Sequence, residues 1–267
     1  MACAIDLQID PILFLQPVAA LAISLGILFS VLRNRGSRGT ILILSLLAYF
    51  LAIALKVVVQ LVSYDTVVST FGYSSLGTAL YLGLQTVLFE VGFGYLFACY
   101  GVRRKGLTTG DAVSYGASLS FWENGVLLGI LSLFQLTVIY LILSSGGSIA
   151  STVASDLPSA YFAAAPVAAG GVALGTIERI SSMLIHIAWG VLCVLTAISG
   201  KKRFLAVALP MGLVDAIVPF SGLIGLILFE AIVFAISVAC LGIALVALRT
   251  VKSKVSPPDT GGFAKTG

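Results

Sequence analysis

Charge is what this chain has least of. Only 10% of its 267 residues are Asp, Glu, Lys or Arg, while 59% are hydrophobic. A water-soluble domain covers its outside with charged side chains, so a soluble globular class is excluded. Histidine is scarcer still, with His186 the single one. A zinc site built on several histidines is therefore excluded. The four cysteines (Cys3, Cys99, Cys193 and Cys240) show no CxxC spacing. Cys3 alone falls on the expected outer side, so no internal disulfide is expected. A nucleotide-binding glycine loop is also missing. The opening stretch MACAIDLQID carries acids and no basic region, so it does not read as a cleaved signal peptide.

What is present is long apolar runs, with a mean hydropathy of +1.12. Runs of about 20 residues, enough for roughly 30 Å of hydrocarbon, recur throughout. They predict seven transmembrane helices at 11–32, 40–62, 77–100, 113–143, 176–198, 204–220 and 223–248. The runs do not alternate, which argues against a β-barrel. The expected fold is an all-α, polytopic membrane bundle forming one domain over 1–250, with a disordered tail over 251–267. The fourth run is too long for one simple crossing and is expected to begin with a short piece that breaks near Gly125. The small-residue stretch 146–171 reads as an outer loop, either a surface helix or mobile.

Basic residues set the orientation. Thirteen of the 15 Lys and Arg follow the first, third, fifth and seventh runs. The opposite side carries Asp6, Asp10, Asp65 and Asp156 and neither Lys nor Arg. This predicts a multi-pass cell-membrane protein with its N-terminus outside and its C-terminus in the cytoplasm. The basic clusters serve topology and anionic lipid headgroups, with no nucleic-acid partner.

Eight ionisable residues fall inside the runs: Lys56, Glu90, Glu123, Glu178, Arg179, His186, Asp215 and Glu230. Each would cost at least about 2.5–3.5 kcal/mol if ionised and facing lipid, so they are expected to face one another or a wet crevice. Counting helical rise puts Glu90, Glu123, His186 and Asp215 near the midplane. Glu178, Arg179, Lys56 and Glu230 fall nearer the outer face, where Lys56 and Arg179 can balance two carboxylates. Glu178 and His186 fit one wide crevice. Met211 and Asp215, four apart, should share a helical face, and Pro210 frees a backbone carbonyl just before them.

Four patches resemble a known family. FEVGFGY holds Glu90 and Tyr95, GASLSFWENG holds Glu123, ERISSMLIHI holds Glu178, Arg179 and His186, and MGLVD ends in Asp215. Together they resemble the YhfC family of intramembrane proteases, grouped with the CAAX-prenyl endopeptidases, over roughly residues 80–220. The resemblance implies a glutamic-type protease with Glu90, Glu123, His186 and Asp215 as catalytic residues. Glu178, Arg179, Lys56 and Tyr95 would support them, and no metal or other cofactor is expected.

The chain also departs from the pattern. Val91 and Gly94 stand where the family has Glu and Arg, and Leu119 and Met211 stand where it has His. Leu cannot move a proton and Met cannot donate a hydrogen bond. The expectation is thus an impaired enzyme that keeps the fold as a binding or accessory subunit in a membrane complex. The alternatives are an active glutamic protease using Glu90, or a transporter or proton relay. Expected partners are membrane lipids, other integral subunits or a membrane-embedded peptide.

Overall fold

The computed structural model describes residues 9–33, 38–162 and 165–255. The regions 1–8 and 256–267, which hold Cys3 and most of the expected tail, lie outside the described residues. Seven helices are long and apolar enough to cross a membrane. They are α1 (Pro11–Leu32), α2 (Arg38–Phe71), α3 (Leu76–Lys105), α4 (Thr109–Ser145), α5 (Val167–Ser199), α6 (Lys202–Ile224) and α7 (Leu226–Val251). Helix α7 itself continues to Val255. The chain is an all-helical membrane protein, and no strand occurs among the described residues.

Local chemistry fixes the helix ends. Pro11 opens α1 at a position where its missing N–H is no loss, and the Asp10 carboxylate accepts from Ile12 N at 2.9 Å. Arg103, Arg104 and Lys105 close α3 beside the negative end of its dipole, and Gly106 then turns at φ +70°. Asp111 Oδ2 accepts from Thr108 N at 2.9 Å to start α4. The stretch after α4 forms a short helix, Gly147–Asp156, and a 3-10 turn, Ser159–Phe162.

Helix α5 is the hub. Its most apolar stretch is 78% buried, against 17–39% in the other six. It packs on α1, α3, α4, α6 and α7. The outer helices turn Leu, Ile, Val and Phe toward lipid, as an apolar solvent permits. Close approach of α4 and α5 depends on two glycines. A Cβ on Gly116 would meet Ile187 O at 2.6 Å, and one on Gly190 would meet Gly116 N at 3.0 Å. Tyr115 donates its hydroxyl to Gly94 O at 2.8 Å, and Trp122 Nε1 donates to Ser45 Oγ at 3.0 Å. These bonds lock α4 to α3 and α2.

Three helices leave regular α geometry. Helix α3 has a π-helical stretch, Thr86–Val91, and α4 has another, Phe121–Leu131. Helix α6 is α-helical to Met211 and a 3-10 helix over Gly212–Phe220. The expected break near Gly125 is therefore corrected. The fourth run is one continuous helix, with a π-helical stretch where the break was expected. The second helix also outruns its expected end by nine residues, reaching Phe71 rather than 62. After Pro210 the sixth helix passes directly into its tighter 3-10 stretch.

Candidate functional site

All three inward carboxylates of the central region sit on those irregular stretches. Glu90 is on the first π stretch, Glu123 on the second and Asp215 on the 3-10 stretch. An inserted or tightened turn re-aims the side chains that follow it. It also frees carbonyls that need a polar surrounding, and such turns recur at functional sites. Lys56 and His186 come from the regular helices α2 and α5.

The five converge on a cavity of about 420 Å³ that Glu178, Arg179 and Glu230 also line. Two poles are distinct. At the first, Lys56 Nζ donates to Glu90 Oε1 at 2.7 Å, Thr86 Oγ1 at 2.8 Å and Asp215 Oδ2 at 3.0 Å. Thr86 donates its hydroxyl to Asp215 Oδ2 at 2.5 Å. All three ammonium protons are used, and α2, α3 and α6 are tied together. Gly212 makes this possible, since a Cβ there would meet Val87 N at 2.9 Å.

At the second pole, His186 Nε2 lies 2.6 Å from Glu123 Oε2 and 3.4 Å from Glu90 Oε2. His186 Nε2 and Glu123 Oε2 are buried, yet neither has a properly directed hydrogen bond. The other ring nitrogen, Nδ1, is 2.8 Å from Ser182 O. A carbonyl can only accept, so Nδ1 carries a proton. In the neutral ring, Nε2 then carries a lone pair close to two carboxylate oxygens. Lone pairs gathered this closely repel unless a proton or a cation sits among them.

The donor set therefore fits a divalent ion. Ligand atoms of Glu90, Glu123 and His186 all lie within 4.8 Å of one another. Imidazole and carboxylate are both zinc ligands, and ligating histidines characteristically donate the second N–H to a carbonyl or carboxylate. The one-histidine argument excludes a multi-histidine site. It does not reach a site of one imidazole and two carboxylates from three helices.

Several expectations need correction. Lys56 belongs to the Glu90–Asp215 pole rather than to an outer group with Arg179. Counting rise along separate helices ignored their tilt and offset. Arg179 pairs with Glu178 and lies 3.9 Å from Glu123 Oε1. Tyr95 is away from the cavity, packed on the main core. Met211 and Asp215 part company, Met211 entering the core while Asp215 lines the cavity. In a 3-10 helix, four residues turn the chain by roughly 120° off one line, not 40°.

Sequence reading missed Tyr49, Thr86, Ser182 and Trp189. Trp189 packs on the His186 ring at 4.2 Å between centroids, and Tyr49 meets it edge-on at 6.5 Å. Ser182 Oγ accepts from Asn124 Nδ2 at 3.1 Å and sits 3.4 Å from Glu123 Oε1. A signal existed for two of them. Thr86 and Ser182 stand four residues before Glu90 and His186, one helical turn away.

No match emerges among curated proteins or among solved structures. A model of the YhfC intramembrane metalloprotease family matches residues 18–221, and so takes in α1 and α2 as well as the four patches. With that match covering most of its length, the chain belongs to the YhfC intramembrane metalloprotease family.

Proposed function

We propose that this protein hydrolyses a peptide bond inside the cell membrane, at the corner where Glu90, Glu123 and His186 meet. The observation that carries this reading is the buried, unsatisfied pair His186 Nε2 and Glu123 Oε2 beside Glu90 Oε2. Those three atoms would hold a divalent ion such as zinc. When bound, it supplies Lewis-acid polarisation of a carbonyl and acidifies water.

The chain's own residues do the rest. Lys56 holds Glu90 by Oε1, which leaves Oε2 directed to His186. Ser182 O fixes the His186 tautomer. Trp189 and Tyr49 shield the ring from bulk water. The recorded bonds of Asp215 end on Oδ2, so Oδ1 is free to take up a proton from the attacking water. Tyr49 and Ser182 put neutral O–H groups on the cavity wall, where charge develops on a peptide oxygen.

The second reading is an impaired protein serving as a binding or accessory subunit. It draws on Leu119 and Met211, which occupy positions that carry His in the resembled pattern. Both side chains are buried in the hydrophobic core, and neither lines the cavity. The donors at the Glu90–Glu123–His186 corner are therefore untouched by these substitutions, which favours the hydrolase.

The test is a purified preparation in mild detergent, stripped with chelator and reloaded with zinc. Metal content and cleavage of membrane-anchored peptides are both read. The wild type is expected to bind zinc and cut, and Glu123→Gln and His186→Gln to lose both. Zinc binding without cleavage of any peptide would favour the accessory subunit. Cleavage at an undiminished rate in the two variants would remove this corner from the chemistry.

A further inference from the structure

Glu230 is the ionisable group that this mechanism leaves idle. It lies on α7, beyond the residues that the family match covers. Its side chain is 3% exposed, lines the same cavity, and has a buried Oε2 with no hydrogen-bond partner. The charged groups that act on it are Glu178 and Arg179. Arg179 is already engaged by Glu178 and Glu123, so it is not a dedicated partner. Leaving such a carboxyl unpaired costs stability, and folding alone gives no reason to keep it.

The charge balance points the same way. Five carboxylates line the cavity (Glu90, Glu123, Glu178, Asp215 and Glu230) against Lys56 and Arg179. Lys56 is spent on Glu90 and Asp215, and Arg179 on Glu178 and Glu123. A divalent ion at the His186 corner neutralises Glu90 and Glu123 further. Glu230 still faces the cavity without a cation. On its own helix its cavity neighbours are Leu226, Phe229 and Val233, with Ser237 two turns further on. An acceptor flanked by these aliphatic and aromatic side chains suits a cation on an apolar stem.

We propose that Glu230 recognises a primary ammonium carried on an aliphatic stem, as in a lysine side chain of a membrane-embedded peptide. A compact ammonium on a slim stem suits a carboxyl whose Oε2 is buried, where a guanidinium's planar fork would have to engage both oxygens. Leu226, Phe229 and Val233 bury the methylenes while the charge reaches Oε2. Phosphatidylethanolamine also bears a primary ammonium, but its phosphate would meet a cavity rich in carboxylates. The assignment rests on the hydrolase reading only for the fate of the bound chain. Its test is therefore a binding measurement.

The probe is a fluorescent single-span peptide with one lysine, compared with the same peptide carrying norleucine there. Binding is measured in phosphatidylcholine nanodiscs, with Glu123→Gln as the host so that no peptide is cut. The lysine peptide is expected to bind roughly tenfold or more tightly, and Glu230→Gln in that host to erase the preference. Added phosphatidylethanolamine is expected not to compete. Competition that depends on Glu230, with no preference between the peptides, would keep the ammonium and assign it to lipid. An equal preference with and without Glu230, or none for either ammonium source, would overturn the proposal. Thermal midpoints guard against a folding artefact. Glu230→Gln and Glu230→Met should melt no lower than the host. A drop of several degrees in both would make the carboxyl structural and sink the assignment.

Discussion

The two poles of the cavity are built from the same kinds of side chain and end in opposite states. At the Lys56 pole each ammonium proton has an acceptor, and three helices are joined through one point. At the His186 pole, Nε2 stands 2.6 and 3.4 Å from two carboxylate oxygens without a directed hydrogen bond. The first arrangement is complete and serves the fold. The second leaves its buried polar atoms without directed bonds, which is the state that the proposed ion would complete. Glu90 belongs to both, one carboxylate oxygen at each pole. That shared residue transmits the rigidity of one pole to the geometry of the other.

The sharpest way to break this comparison is to remove the cation from the complete pole. Lys56→Met leaves the buried Glu90 and the half-buried Asp215 without a cation and should cost about 3–5 kcal/mol of stability. The low end applies because Asp215 is 36% exposed. Thermal unfolding in detergent measures it. Glu123→Gln at the other pole should cost less, about 1 kcal/mol, since it weakens only the long bond from Ser182 and the 3.9 Å approach of Arg179, which keeps Glu178. Equal losses in the two variants would abolish the distinction between a structural and a ligand-holding pole.

A smaller effect tests what brings the poles together. Gly116→Ala pushes a methyl into the Ile187 carbonyl, where overpacking costs about 1–3 kcal/mol. Because Glu123 and His186 ride on those two helices, zinc affinity should fall with stability. Zinc affinity that holds while stability drops would show that the corner does not depend on this crossing. The smallest expected effect is at Ser182. Ser182→Ala takes the acceptor from the buried Asn124 amide and should cost about 1 kcal/mol. Asn124→Ala should then cost less in this background than in the wild type, because the bond the two residues share is already gone, while its bond to Ser120 O is still lost.

Much of this was legible beforehand, and the gaps have physical causes. The seven helices are read from hydropathy because a span in lipid must satisfy its own backbone, whatever its neighbours do. Glu90, Glu123, His186 and Asp215 stood out because ionisable groups within apolar runs are costly. Lys56 was put at the wrong level, since depth counted along one helix says nothing about how far that helix is tilted or shifted against the next. The pairing of Met211 with Asp215 failed because a regular 3.6-residue turn was assumed across a segment that folds as a 3-10 helix. The break expected at Gly125 rests on length alone, and the chain passes this point as a π-helical stretch without leaving the helix.

The sequence by itself determined that this chain lives in a membrane as a helical bundle, because apolar run length against bilayer thickness is a one-dimensional match. It also determined which side chains must hide from lipid. Tertiary structure alone decided which of them meet. The π stretches of α3 and α4, the 3-10 stretch of α6 and the Gly116–Gly190 crossing turn distant residues onto one point. Contact between helices is a three-dimensional property that no single helix's periodicity contains.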